Sequence, residues 1–242
     1  MDTGLIIDLE TTGTDPEKDK IIEIGIVEFA VEEGKPPMIT NIYSSLEDPG
    51  VPLEDEIKKI TGLDDPWLAG QRINWELVRR WFSKASMAIA HNAAFDRSFL
   101  LRREELAPLA IHWACSMRHI NWQEHGFRNR SLNYLAADHG FVNPFAHRAV
   151  FDCAATFRLI SPYLNELIHN SYQKEFAVFA TGAPFEVKDL LRQRQYRWDA
   201  ERRVWHKTVM EKDLQAERDF LAGEIYSGTD LHEEQEVDWQ RE

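Results

Sequence analysis

The order of apolar patterns predicts an α/β layer fold built on a mixed sheet, followed by a small α+β module. Strand-like runs come first and helical spacing comes later, as such a layered domain requires. The polar break His169-Asn170-Ser171 then separates this part from a second alternation of strand and helix signals.

Residues 4–10 form a continuous apolar run that ends in acids, which suits a buried central strand. A turn follows over Thr11 to Pro16, then two β-like runs at 21–30 and 38–45 with Gly34, Pro36 and Pro37 between them. From Asn74, an N-cap type, the spacing of Trp75, Val78 and Phe82 places one apolar stripe on a helix. A short strand at 87–91 is followed by helices over 94–105, 131–138 and 149–167. In the second part the pattern gives a strand at 176–180, a helix opened by Pro184, a hairpin over 196–208 and a last helix. The division expected is a domain at 1–170, a module at 171–223 and an acidic, mobile tail at 224–242.

A chain of 242 residues is long enough for one medium domain and a small appendage. No stretch reaches the roughly 20 apolar residues of a membrane span. Met1 leads straight into a strand-like run without a signal peptide, so the expected location is the cytoplasm. Cys115 and Cys153 have no paired spacing and read as reduced thiols, not a zinc site. A net charge of −13 sits awkwardly with a polyanionic partner, but the charge is segregated. Residues 224–242 hold seven acids against Arg241 alone, while 188–207 hold seven Lys or Arg against Asp189, Asp199 and Glu201.

The chemistry-bearing residues fall in three segments. Asp8 and Glu10, two apart on the first strand, project from the same face, although an acid pair at a strand end also fits a solvated turn. In His91-Asn92-Ala93-Ala94-Phe95-Asp96 a strand meets a helix, and Asp96 shares the stripe of Phe99 and Leu100. Burying a lone carboxylate costs several kcal/mol, so Asp96 needs a partner: a metal ion, the helix N-terminus, or Arg97 or Arg102. In His147-Arg148-Ala149-Val150-Phe151-Asp152, the acid aligns with Ala155 and Leu159 on the inner stripe of the long helix, and His147 lies just before it. Four acids and one histidine in this order fit a two-metal phosphodiester hydrolase.

These segments resemble the three motifs of the DEDDh group of 3′-to-5′ exonucleases, including the His-x4-Asp spacing of the third. The resemblance extends over roughly residues 4–167 and takes in Thr11-Thr12-Gly13 and Thr61-Gly62-Leu63. It implies a ribonuclease-H-like mixed sheet flanked by helices and two Mg²⁺ or Mn²⁺ ions about 4 Å apart. By the same resemblance Asp8 bridges the ions, Glu10 and Asp152 complete the first site, Asp96 holds the second, and His147 is the general base. Thr11, Thr12 and Gly13 would hold the terminal nucleotide, with Asn92 in the substrate-binding set. Thr61 and Leu63 are implied beside the last base, although Gly62 equally reads as a plain helix-ending turn.

Arg197, Trp198, Arg203, Trp205 and Lys207 interleave aromatic and basic residues as single-strand binders do, but large aromatics also suit the core of so small a module. The segment resembles the C-terminal module of some exonuclease-X-like proteins and, more loosely, DNA-annealing modules of certain helicases. The partner expected is DNA, at single-stranded or frayed 3′ ends, in repair or end processing. The resemblance leaves two alternatives: RNA trimming, since RNase T and oligoribonuclease have the same five residues, and proofreading beside a polymerase, whose essential property is a partner-binding tail.

Overall fold

The computed structural model describes residues 2–228 and 231–238, in two units, Met1–Ser171 and Tyr172–Glu242. In the first unit, β1 (Asp2–Thr11), β2 (Ile21–Val31) and β3 (Met38–Leu46) form an antiparallel meander. Helices α1 (Asp55–Thr61), α2 (Asp65–Leu68) and α3 (Trp75–Phe82) lead to β4 (Met87–Ala90), which pairs in parallel with β1. Then come α4 (Ala93–Leu100), β5 (His112–Cys115), α5 (Ser116–His119), α6 (Leu132–Asp138), α7 (Ala149–Ile160) and α8 (Leu164–Ser171). The sheet order β3-β2-β1-β4-β5 puts β1 at the centre of a mixed sheet, where Leu5, Ile6 and Ile7 are buried on both faces.

Period-2 geometry places Ile6, Asp8 and Glu10 on one face of β1. Ile6 packs there in a cluster with Phe29, Ile89, Trp122, Cys153 and Leu159. The acids therefore point toward the side covered by α7, and two features of β2 seat the start of that helix. Gly25 lies opposite Asp8, and a Cβ on it would fall 2.4 Å from the Ala149 carbonyl carbon and the Val150 nitrogen. Glu23, opposite Glu10, is fully buried. Its carboxylate accepts from Arg148 Nε at 3.0 Å and Nη2 at 3.1 Å, a fork-on-fork pair at the N-terminus of α7.

Several elements depart from the sequence-based expectation: the helix expected over 94–105 ends at Leu100, and α2 and α5 were not expected. The single helix expected over 149–167 is α7 and α8 joined by a 3₁₀ turn at Ser161–Tyr163, where Pro162 supplies no N–H to continue the ladder. Strand β5 gave no period-2 signal because its four residues are mostly buried, so polar and apolar positions do not alternate.

The second unit is a sheet of order β7-β8-β6-β9: β6 (Glu175–Ala180), β7 (Arg197–Asp199), β8 (Val204–Met210) and β9 (Glu233–Val237), all antiparallel. Helices α9 (Lys188–Gln193) and α10 (Glu211–Phe220) complete it, around Val178, Leu191, Tyr196, Val209, Leu214 and Leu221. The acidic stretch expected to be a mobile tail from 224 instead begins within a π turn at Leu221–Ile225 and supplies β9 along β6. Its charge is answered locally, since Glu234 takes a bidentate pair from Arg218 at 2.6 and 2.7 Å and Glu236 pairs with Lys174 at 3.1 Å. Residues 229–230 and 239–242 of that stretch lie outside the described residues. Among the described residues no helix is long and apolar enough to cross a membrane.

Gly25→Ala is expected to cost roughly 1–3 kcal/mol, because the new methyl meets backbone that cannot rotate away. It should also lower activity by moving α7. Gly62→Ala, at φ +69 with open space around it, should cost about 1 kcal/mol and leave specific activity unchanged. Denaturant midpoints and rates of the two variants check this. Arg148→Ala strands a fully buried charge on Glu23 and should lose about 3–5 kcal/mol, most of it recovered when Glu23→Gln is added in the same chain.

Candidate active site

Asp8 is half-buried and Glu10 is buried near the end of β1. Oxygens from Asp8, Glu10 and Asp152 all lie within 4.8 Å of one another. Asp152 comes from the first turn of α7, which the Gly25 contact and the Glu23–Arg148 pair bring down onto β2. Its two oxygens are aimed by separate donors, Asn143 Nδ2 at 2.8 Å and the His147 backbone N–H at 2.8 Å.

Asp96 is buried on α4 and accepts from the Leu9 backbone N–H at 3.0 Å. That N–H lies beyond the last β1–β4 rung, Ile6–Ile89, so the shortness of β4 leaves a donor that the acid satisfies. The bond anchors Asp96 on the strand backbone midway between Asp8 and Glu10. It is a partner the sequence did not reveal.

His147 is exposed and its backbone is left-handed, φ +63, uncommon for a residue with a Cβ. Two anchors hold that conformation: its own N–H on Asp152 and the next residue, Arg148, on Glu23. The bond from its N–H to Asp152 Oδ2 at 2.8 Å fixes the residue at the edge of the cluster.

Electrostatically the carboxylates crowd one another in a buried setting. Burial first, then the charges of Asp152, Glu23 and Asp96, push Glu10 up from 4.5 to about 8. Burial, followed by Asp96, Asp152, Glu10 and Glu23, holds Asp8 well above the ordinary carboxylate range, and burial raises Asp96 and Asp152 as well. Protons or hard cations relieve such crowding, and an all-carboxylate donor set is the chemistry that Mg²⁺ and Mn²⁺ select.

The residues expected around the terminal nucleotide are placed differently from one another. Thr11 is buried with its hydroxyl on the Gly13 carbonyl, and Thr12 donates to Asp19 Oδ1 at 3.1 Å. The same Asp19 accepts from the Asp15 N–H at 2.8 Å, closing the loop after β1. Asn92 is exposed at the N-cap of α4 with no capping bond from its side chain. Thr61 is buried, its hydroxyl between the Ile57 carbonyl and the Leu63 N–H at 2.9 and 3.1 Å, and Gly62 closes α1 in the left-handed conformation. Leu63 is a core residue beside Ile22, Leu53 and Leu68. These two side chains brace a helix end, and neither projects as a wedge.

Glu23, Arg148 and Asn143 were not singled out from sequence. Glu23 did carry a signal, as an acid within Ile21-Ile22-Glu23-Ile24, since a charge in an apolar strand must be paired. His91, by contrast, is a structural histidine: it bonds Ser116 Oγ at 2.7 Å and the Arg130 carbonyl at 2.8 Å, and burial lowers its pKa to about 4. In the second unit Arg197, Trp198 and Arg203 are exposed, whereas Trp205 and Lys207 are partly buried.

The exonuclease family profile RNase_T matches residues 5–160. The chain is 29% identical over 173 residues to the DNA polymerase III subunit epsilon of Aquifex aeolicus, covering 68% of this chain and 82% of that protein. It is 27% identical over 235 residues to the PolC-type DNA polymerase III of Caldanaerobacter subterraneus subsp. tengcongensis. That match covers 94% of this chain but spans only 15% of the polymerase. Among solved structures, exonuclease X in complex with 5′ overhanging duplex DNA aligns with a TM-score of 0.53 at 25% identity, covering 69% of this chain and 99% of that one. The five-stranded mixed sheet is the ribonuclease-H-like α/β fold of such enzymes. With the family profile matching more than half of its length and the acidic cluster assembled within that region, the chain belongs to the exonuclease family.

Proposed function

We propose that the chain removes nucleotides one at a time from 3′ ends of DNA, releasing nucleoside 5′-monophosphates, in the repair or processing of DNA ends within the cytoplasm. The observation that carries this is the convergence of Asp8, Glu10 and Asp152 within 4.8 Å, with carboxyl pKa values pushed upward by burial and by neighbouring carboxylates. Asp8, Glu10 and Asp152 would hold one Mg²⁺ or Mn²⁺ ion, and Asp8 with Asp96 a second. When bound, the ions supply charge neutralisation for the scissile phosphate and a nucleophile available near neutral pH.

The chain's own residues do the rest. Asp152 is fixed through both oxygens and cannot swing away. His147, exposed beside the cluster on a pinned backbone, takes the proton from the attacking water. The loop from Thr11 to Gly13, tied down by Asp19, follows the acidic strand directly and meets the terminal nucleotide. DNA is favoured over RNA by the polymerase relatives and by the DNA bound to exonuclease X. Likeness to the epsilon subunit favours a second reading, proofreading beside a polymerase, which copurification with a replicative polymerase would reveal.

The test is digestion of 5′-labelled DNA and RNA of matched sequence, with metal added back after chelation. A descending ladder on DNA, absent in Asp8→Asn, is expected. Internal cuts, metal-independent cleavage or faster loss of RNA would overturn the proposal. His147→Ala should keep metal binding and fold but lose on the order of 10² to 10⁴ in kcat.

Stability should report the same cluster. Glu10 sits at about 8 in the folded chain against 4.5 when free, so its protonated form favours folding. That contribution is complete below 4.5 and is lost as pH rises through about 8. In chelator, thermal stability should therefore fall across this window. Added Mg²⁺ should restore it at the alkaline end, and Glu10→Gln should flatten the metal-free profile.

A further inference from the structure

The second unit sorts its cations into two groups. Lys207 and Arg194 are bound to the buried Glu217, at 2.5 and 3.3 Å, and Arg192 pairs with Asp189 at 3.4 Å. Arg197 and Arg203, by contrast, are exposed on either side of the β7–β8 turn and take no carboxylate partner among the described residues. Arg202, exposed in the same turn, lies 4.3 Å from the centre of the Phe179 ring.

The aromatics sort in the same way. Tyr196 is 3% exposed in the core and Trp205 is packed against that core. Trp198, directly across the ladder from Trp205, is 51% exposed, with its ring centroid 5.6 Å from that of Trp205. Arg192 lies 5.6 Å from the Trp205 ring. A tryptophan recruited for packing alone would be covered as Tyr196 is. Here one indole meets another at a 60° tilt and stays half exposed beside arginines without a carboxylate partner among the described residues, in a chain of net charge −13.

We infer that the β7–β8 hairpin is a docking surface for single-stranded DNA, with a base stacking on Trp198 and phosphates held by Arg197 and Arg203. The inference rests on the DNA-exonuclease reading for the identity of the strand. The charge complementarity is to a polyanion, and the exposed indole requires a base whose face is uncovered, which a duplex does not offer. Trp205 and Lys207 act here as supports, since their surfaces are committed to Trp198 and Glu217.

The test uses the full chain in chelator, with fluorescence anisotropy on labelled oligo-dT of roughly 30 nucleotides, longer than a site of about 4–16. Trp198→Ala should weaken binding about five- to a hundredfold, the scale of one lost base stack, while Trp198→Phe keeps most of the affinity. Arg197→Ala with Arg203→Ala should flatten the plot of log affinity against log salt by about 1.4, roughly 0.7 for each phosphate contact on a single strand. With metal restored, all three variants should hydrolyse the p-nitrophenyl ester of thymidine 5′-monophosphate at the parental rate. Binding within about twofold of the parent in both Trp198→Ala and the double variant would overturn the inference. So would equal losses on blunt duplex, or a larger loss on oligo-rU than on oligo-dT. Failure of the parent chain to hydrolyse the ester would instead remove the exonuclease reading, because the binding measurements involve no catalysis.

Discussion

The rest of the structure depends on mutual repulsion among carboxylates at the end of the central strand. Asp8, Glu10 and Asp152 crowd within 4.8 Å, with Asp96 tied to the backbone between the first two and Glu23 buried opposite Glu10. At such distances like charges cost several kcal/mol wherever water is excluded. Side chains free to move would separate. Each is held instead: the β1 pair by a strand hydrogen-bonded on both edges, Asp96 by the Leu9 N–H, Asp152 by Asn143 and His147, and Glu23 by Arg148. The free energy that holds them comes from the apolar face directly below, where Ile6, Cys153 and Leu159 pack together.

This explains which parts of the site could be read from sequence. Four of the five polar residues stand at fixed offsets from apolar residues that define strand or helix faces, so Asp8, Glu10, Asp96 and Asp152 are visible as polar interruptions of periodic patterns, whereas His147 lies before its helix and is legible only through the resemblance. The devices that aim them involve backbone groups or partners far along the chain, and no periodicity records those. The Leu9 N–H is a donor only because β4 is short, and Gly25 matters only because Ala149 and Val150 arrive above it. Glu23 and Arg148 are 125 positions apart. The same limit accounts for Leu63: an apolar residue after a glycine turn reads alike as wedge or core, and only the arrival of Ile22, Leu53 and Leu68 decides.

In the second unit the sequence misled in a different way. Net charge by segment gave a basic hairpin and an acidic tail, yet charges pair in space. Arg218 answers Glu234 and Lys174 answers Glu236, which turns part of the acidic stretch into an edge strand along β6. Glu217, an acid on the inner side of α10, takes up Lys207 and Arg194. Seven clustered cations thus overstate the positive surface, and the exposed remainder is small and concentrated at one turn.

The acidic cluster draws on residues 8 to 152, from the first strand of the domain to α7. A site distributed in this way cannot form in a fragment, because Asp152 reaches Asp8 only after α7 has docked on β2. Docking also brings Glu23 and Arg148 together, so the buried ion pair and the acid cluster form in one step. Its gain and its cost are therefore linked: burial of Cys153, Ala155 and Leu159 draws the helix in, and approach of Asp152 to Asp8 and Glu10 pushes it out. A divalent cation removes the opposing half of that balance. It binds the docked state and finds no such constellation in the undocked chain, so its binding free energy adds to the stability of the domain. An ion held by these carboxylates would then both supply chemistry and complete the fold.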